Sequence, residues 1–237
     1  MKTHRLHPWN VSVAQAKAIQ KNLSNWIVTE GSCKNPAMIG RIELACTRQN
    51  HKAATVQASI SIKSVPALQL LERKVSMRTT EFPDMEGLVA FRKVPAIIAA
   101  LEKLVRIPDV FICDGRGITG PGSFGVASHV GLITHIPTIG VSRAKPRLLS
   151  ELLGNERGSW LPVHEPGQVA ALVRVIGGLD PLVVSPAHKL GMEDAIEQVL
   201  RYVPADTPAR EYMQALYPEA GINGRPQLTL VSTKRSV

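Results

Sequence analysis

Val110-Phe111-Ile112-Cys113-Asp114-Gly115-Arg116-Gly117 is a short apolar run that stops on an aspartate followed by two spaced glycines. Bounded by Pro108 on one side and by glycine on the other, it reads as a buried strand whose last residue carries a carboxylate. Ligands in open α/β sheets collect beyond the carboxyl ends of the parallel strands. Asp114 is therefore placed to act as a metal ligand, a base or an orienting group, with a capped tight turn as the plainer alternative. Gly115 and Gly117 allow close backbone approach, which the sequence reading assigns to a ligand.

Working outward, Gly125 to His135 has helical character, Thr138 to Val141 and Leu182 to Val184 read as strands, and Gly191 to Val203 reads as a helix. Upstream, Met38 to Cys46 is a strand, and Thr55 to Ile62 alternates with Val56, Ala58, Ile60 and Ile62 on one face. A third strand covers Leu70 to Met77, so the three form an antiparallel meander. Gly87 to Val105 has helical spacing, in which Pro95 either kinks the helix or opens a second one. Asn10 to Val28 is an amphipathic helix through Ile19, Leu23, Trp26 and Ile27, with Asn10 as its N-cap. Antiparallel strands followed by alternating helices and strands describe an α/β fold with a mixed sheet covered by helices.

The 237 residues suit one domain, 1–237, with an N-terminal helical region over 1–36 and a Pro- and Gly-rich tail, 217–237, that frays or binds a partner. Aromatics make up 4% of the chain, so the core must be built from Ala, Val, Ile and Leu. No apolar run reaches the roughly 18 residues of a spanning helix, and Met1 to Pro8 has basic residues without the apolar stretch expected of a secretory signal. Cys33, Cys46 and Cys113 form no close pair, which suits a reducing cytoplasm. Lys and Arg outnumber Asp and Glu by 28 to 19, a net charge of +9. That balance favours an anionic partner, either a small molecule or nucleic acid, over a membrane; a basic surface with no specific ligand is the bland alternative.

His188 follows an apolar strand and is a candidate for acid–base chemistry or substrate binding, whereas His129 reads as a packing residue within its helix. Arg143 follows the strand Thr138-Ile139-Gly140-Val141 and could hold an anion or simply be solvated.

At these residues the sequence resembles the endonuclease V family. The resemblance is carried by Phe111 to Ile118, by Gly125-Val126-Ala127-Ser128-His129-Val130-Gly131-Leu132 and by Pro137-Thr138-Ile139-Gly140-Val141. Looser likenesses are Gly87-Leu88-Val89-Ala90-Phe91-Arg92 and His188-Lys189. The resemblance implies a ribonuclease-H-like mixed sheet with helices on both faces. It also implies a nuclease that cuts beside deaminated adenine, using carboxylates around a divalent metal.

Residue by residue, Asp114 matches the aspartate after the middle strand. The first-strand aspartate falls at Glu43, or at Ile42 one residue earlier, and the glutamate after Phe-Arg is replaced by Lys93. The family's aromatic segment before the helix reads Pro83-Asp84-Met85-Glu86. A cation in place of a ligand changes the local charge by two units at a site meant for a dication.

The favoured expectation is therefore a repurposed enzyme with no metal and no other cofactor. In it Lys93, Asp114, Glu43 and His188 perform acid–base chemistry, such as an elimination or cyclisation, on an anionic small or nucleotide-like molecule. Gly87, Gly115, Gly117, Gly140 and Arg143 would line the substrate. One alternative is a magnesium-dependent endonuclease on inosine-containing nucleic acid, with Asp84 or Glu86 as replacement ligands. The other is an inactive protein that binds nucleic acid or a second protein subunit.

Overall fold

The computed structural model describes residues 1–48, 54–144, 151–210 and 212; the expected tail at 217–237 lies outside them. Strands β1 (Met38–Arg48), β2 (Ala54–Ser64) and β3 (Leu70–Thr80) form the antiparallel meander. Helix α2 (Val89–Leu101) crosses it and leads to β4 (Val110–Asp114). A small hairpin follows, β5 (Ile118–Gly120) with β6 (Ser123–Phe124), then α3 (Val126–Thr134) and β7 (Thr138–Arg143). The chain continues through β8 (Trp160–Pro162), β9 (Ala171–Val173), β10 (Leu182–His188) and α4 (Met192–Tyr202).

The large sheet has the order β3-β2-β1-β4-β7-β10-β9-β8. Its centre, β1-β4-β7, is parallel, and the outer pairs are antiparallel. Because β4 and β7 each follow a helix, the chain returns to the same end of the sheet and the strands run in one direction. Strand β10 follows a longer excursion and comes back the other way.

Helices cover both faces. On one, Val94, Ala96 and Ile97 of α2 and Val130 and Ile133 of α3 pack on Ile42, Val56, Ile60, Phe111 and Cys113. On the other, Ala195, Ile196 and Val199 of α4 pack on Ile112, Ile139, Val141 and Val184. The alternation seen in β2 is thus a buried face beneath α2, and each fully buried aliphatic contributes roughly 1.5–3 kcal/mol. Helix α1 (Val13–Ser24) lies on the α2–α3 layer through Ala16 and Leu23.

Two local expectations are corrected, and two strands appear that no expectation covered. The N-cap of α1 is Ser12, not Asn10: its hydroxyl accepts from Gln15 N, and the Gln15 side chain accepts from Ser12 N at 2.9 Å, a reciprocal capping box. Pro95 sits inside one continuous α2, where Ile97, Ala100 and Leu101 hold the helix to the sheet. Strands β8 and β9 have three residues each, too short for any periodicity to reveal.

Candidate functional site

Asp114 ends β4 between β1 and β7, opposite Val141. Strand β1 is paired with β4 through Ile42 and Cys113, so the next step along both strands sets Glu43 beside Asp114. Leu44 N donates to Asp114 Oδ2 at 3.1 Å, and the Arg41 guanidinium is bonded to Oδ1. Arg41 is fully buried, and its Nη1 also donates to the carbonyls of Ile42 (3.0 Å) and Ile112 (3.3 Å). Burial alone would lower the guanidinium pKa, but Asp114, Tyr202 and Glu43 together outweigh it and hold Arg41 above its ordinary value. Burial raises the Glu43 carboxyl, and Asp114 adds to the shift while Arg41, Arg73 and Lys63 oppose it.

Side chains alternate across a strand, and this alternation divides the expected catalytic set. Ile42 faces α2, packed with Val94 and Ile97; Arg41 and Glu43 face the other way. Lys93 rides on α2, close enough to act electrostatically on the buried Cys113 thiol, which burial and Asp114 push upward. Lys93 and Glu43 are therefore on opposite faces of the sheet. The cation bonded to Asp114 is Arg41, a residue the sequence reading did not single out. Its signal was available: an arginine within an apolar strand needs a buried carboxylate.

His188 does not share this end. It ends β10, but β10 runs against β7, and His188 pairs with Thr138, which in turn pairs with Phe111. That sets it about 10 Å back along the sheet and two strands across from Asp114. Its Nδ1 accepts from Val28 N at 3.3 Å, and burial, with Lys189 and His135 nearby, lowers its pKa to about 4. His129 is a packing residue, fully buried with its ring against Trp9, Phe91 and Phe124. Its Nε2 lies 2.8 Å from His7 Nε2, and burial lowers its pKa to about 3.

The glycines divide in the same way. A Cβ on Gly140 would lie 2.6 Å from Gly115 O and 2.8 Å from Gly117 N. A Cβ on Gly117 would lie 2.6 Å from Pro186 O, and Gly117 N donates to Ser185 Oγ at 2.8 Å. Gly115, at φ +135°, meets Val126 of α3. The close approach expected for a ligand is thus made by the protein's own backbone, locking the Asp114 turn onto β7 and β10. Gly87 differs: it has φ +82°, and a Cβ there would meet only Ser123 Oγ, at 4.0 Å. Arg143 lies at the exposed end of β7, beyond Val141. A surface depression of about 370 Å³ lined by Asn35, Pro36, Val65, Pro66 and Arg201 is at the amino end of β1, away from Asp114.

A mixed sheet of this order, with helices on both faces and a carboxylate closing the central parallel strand, defines a ribonuclease-H-like α/β protein with a strand-end site. The family model for endonuclease V matches residues 21–210. An endonuclease V from Trichormus variabilis is 34% identical over 206 residues, covering 86% of this chain and 92% of the relative. The chain belongs to the endonuclease V family. Its fold matches the Bacillus subtilis endonuclease V structure with a TM-score of 0.78 at 23% identity, over 87% of this chain and 90% of that one. It also matches the Ciona intestinalis endonuclease V, solved with a 24mer DNA containing an inosine followed by a ribo-adenosine. That match has a TM-score of 0.65 at 20% identity, over 85% of this chain and 97% of that one.

Membership overturns the expectation that no cofactor serves the site, because the family is one of metal-dependent nucleases. The family match does not support a metal-free enzyme acting on a small anion, and of the four residues expected to form its site, His188 lies away from Asp114. The chain's own residues, however, do not fit a divalent ion as arranged. Among the described residues no group of three or more His, Cys, Asp or Glu could hold one. Ile42 is packed into the core, Lys93 is a cation, and both Asp114 oxygens already accept hydrogen bonds. Among the described residues, no helix is long and apolar enough to cross a membrane.

Proposed function

We propose that this protein acts on inosine-containing nucleic acid as an endonuclease of the endonuclease V type, engaging it at the carboxyl ends of β1, β4 and β7. The observation that carries the reading is Asp114, held between β1 and β7 at the end of the central parallel strand in a chain of this family. The net charge of +9 supports a polyanionic substrate, and the inosine-containing DNA bound by the Ciona relative supports its class. A second reading, nucleic-acid binding without cleavage, is favoured by the Arg41 guanidinium on Asp114 and by Lys93 in place of a glutamate.

Cleavage of labelled inosine-containing DNA and RNA, single- and double-stranded, in Mg²⁺ or Mn²⁺ tests the two. Strand breaks near the inosine that vanish in Asp114→Asn are expected, with more product from Lys93→Glu. Cutting no faster than Asp114→Asn in every substrate and ion would sink the nuclease. Salt-sensitive retention of the same oligonucleotides would then leave the binding protein as the reading.

A further inference from the structure

We propose that Gln20 is a positioning residue for nucleic acid: it fixes the segment entering α2 against the turn that carries Asp114, and so sets how tightly this end of the sheet holds a strand. The inference rests on the proposed function, whose site lies at the same end. Gln20 belongs to α1 and is 5% exposed. Its Nε2 donates to Gly87 O at 2.7 Å and to Phe124 O at 2.8 Å, so both amide hydrogens go to backbone 67 and 104 positions further along the chain. Strand β3 runs in the direction of β1 and β4, because β2 is antiparallel to both β1 and β3. It therefore delivers Thr80, and after it the segment entering α2, to the end where Asp114 stands. Helix α3 also starts there, since it follows the β5–β6 hairpin and returns the chain to β7, parallel to β4.

The two carbonyls held by Gln20 thus belong to the two segments that flank this end, and both segments present exposed residues: Glu81, Pro83, Asp84 and Glu86 on one, Pro121 and Gly122 on the other. The second is tied to the Asp114 turn, since Gly125 N donates to Gly117 O at 2.7 Å and Ala127 N to Arg116 O at 3.1 Å. Elsewhere α1 meets the α2–α3 layer through apolar contacts such as Ala16 and Leu23, which are non-directional. A hydrogen bond specifies atoms, so the amide is what sets one segment against the other. The placement matters for a polyanion because the segment before α2 carries three carboxylates, Glu81, Asp84 and Glu86, which repel phosphate if they swing toward it.

Fluorescence anisotropy of labelled inosine-containing DNA, single- and double-stranded, with the full-length protein tests this, in EDTA and separately in Ca²⁺. Gln20→Glu keeps the length but has no donor when ionised, and at pH 7.5 it should weaken binding about tenfold against wild type, as two buried carbonyls lose their partner. At pH 5.5 the introduced carboxyl, raised by burial, regains a proton and one donor, and the deficit should shrink to about threefold. Gln20→Met neither donates nor titrates, so its deficit of about tenfold should be the same at both pH values. Ser12→Ala removes the capping box and loosens α1 without touching the clamp, and should bind as wild type does. If only Gln20→Met folds, its loss against Ser12→Ala decides. A deficit in Gln20→Glu that ignores pH, wild-type affinity in folded Gln20→Met, or an equal loss in Ser12→Ala overturns the inference and leaves the proposed function standing. Failure of both Gln20 variants to fold assigns the residue a structural role alone and also overturns it. A wild type that holds no oligonucleotide under either condition sinks the proposed function, and this inference with it.

Discussion

The two ends of the sheet bury ionisable groups in opposite ways. At the carboxyl end of β4, Asp114 is ion-paired with the buried Arg41 guanidinium. At the other end, His188 on β10 is buried with Nε2 unbonded among the described residues, and burial holds it neutral. His129 on α3 follows the second pattern within an aromatic cage. The difference is one of pairing: a buried charge is retained at the cost of a fixed counter-ion, whereas a buried imidazole without one is held neutral. Under the proposed function the chemistry lies at the carboxyl end of β4, and the two histidines serve packing.

The largest expected effect comes from breaking the ion pair. Arg41→Met should lower stability by about 3 kcal/mol in urea unfolding, because Asp114 is left largely buried without its cation. Removing both charges, as Arg41→Met with Asp114→Asn, should cost less than the single change. A double variant as unstable as Arg41→Met would mean that the guanidinium acts through packing rather than charge.

Next in size is the glycine contact that locks the Asp114 turn. Gly140→Ala brings a methyl against backbone that cannot swing away, and a loss of about 2 kcal/mol is expected from chemical denaturation. Gly87→Ala has room for the methyl but must hold a positive φ, at a cost of about 1 kcal/mol. Equal losses would show that backbone conformation, not close approach, governs both.

The histidine end is sharpened by pH. An imidazole whose folded pKa lies below 6.5 binds its proton more readily when unfolded, so its contribution is complete above pH 6.5 and declines as pH falls. The decline runs from 6.5 to about 4 for His188 and to about 3 for His129. His129 alone should remove about 2 kcal/mol by pH 5. His129→Gln should flatten that part of the stability profile between pH 6.5 and 5. An unchanged slope would place the acid sensitivity elsewhere.

Much of the architecture is legible along the chain. Val56, Ala58, Ile60 and Ile62 announce a strand buried on one face, and the apolar run into Asp114 announces a strand end, because period and burial are local properties. The short edge strands β8 and β9 are not legible, since three residues carry no period. Nor is the register of β1: sequence puts the first-strand carboxylate at Glu43 in a register that a one-residue slip moves to Ile42, and only pairing with β4 sets Ile42 beneath α2 and Glu43 beside Asp114.

By itself the sequence determined the mixed α/β class, the meander, the strand-end aspartate and, through its motifs, the endonuclease V family. Tertiary structure alone decided which of these residues meet. Strand direction carried His188 to the far end, because an antiparallel β10 reverses what a carboxyl terminus faces. Side-chain alternation set Lys93 and Glu43 on opposite faces. The closing of β4 against β1 brought Arg41, 73 positions away in the chain, onto Asp114. Chemistry at a sheet edge depends on direction, register and face together, and all three are set by pairing between distant segments.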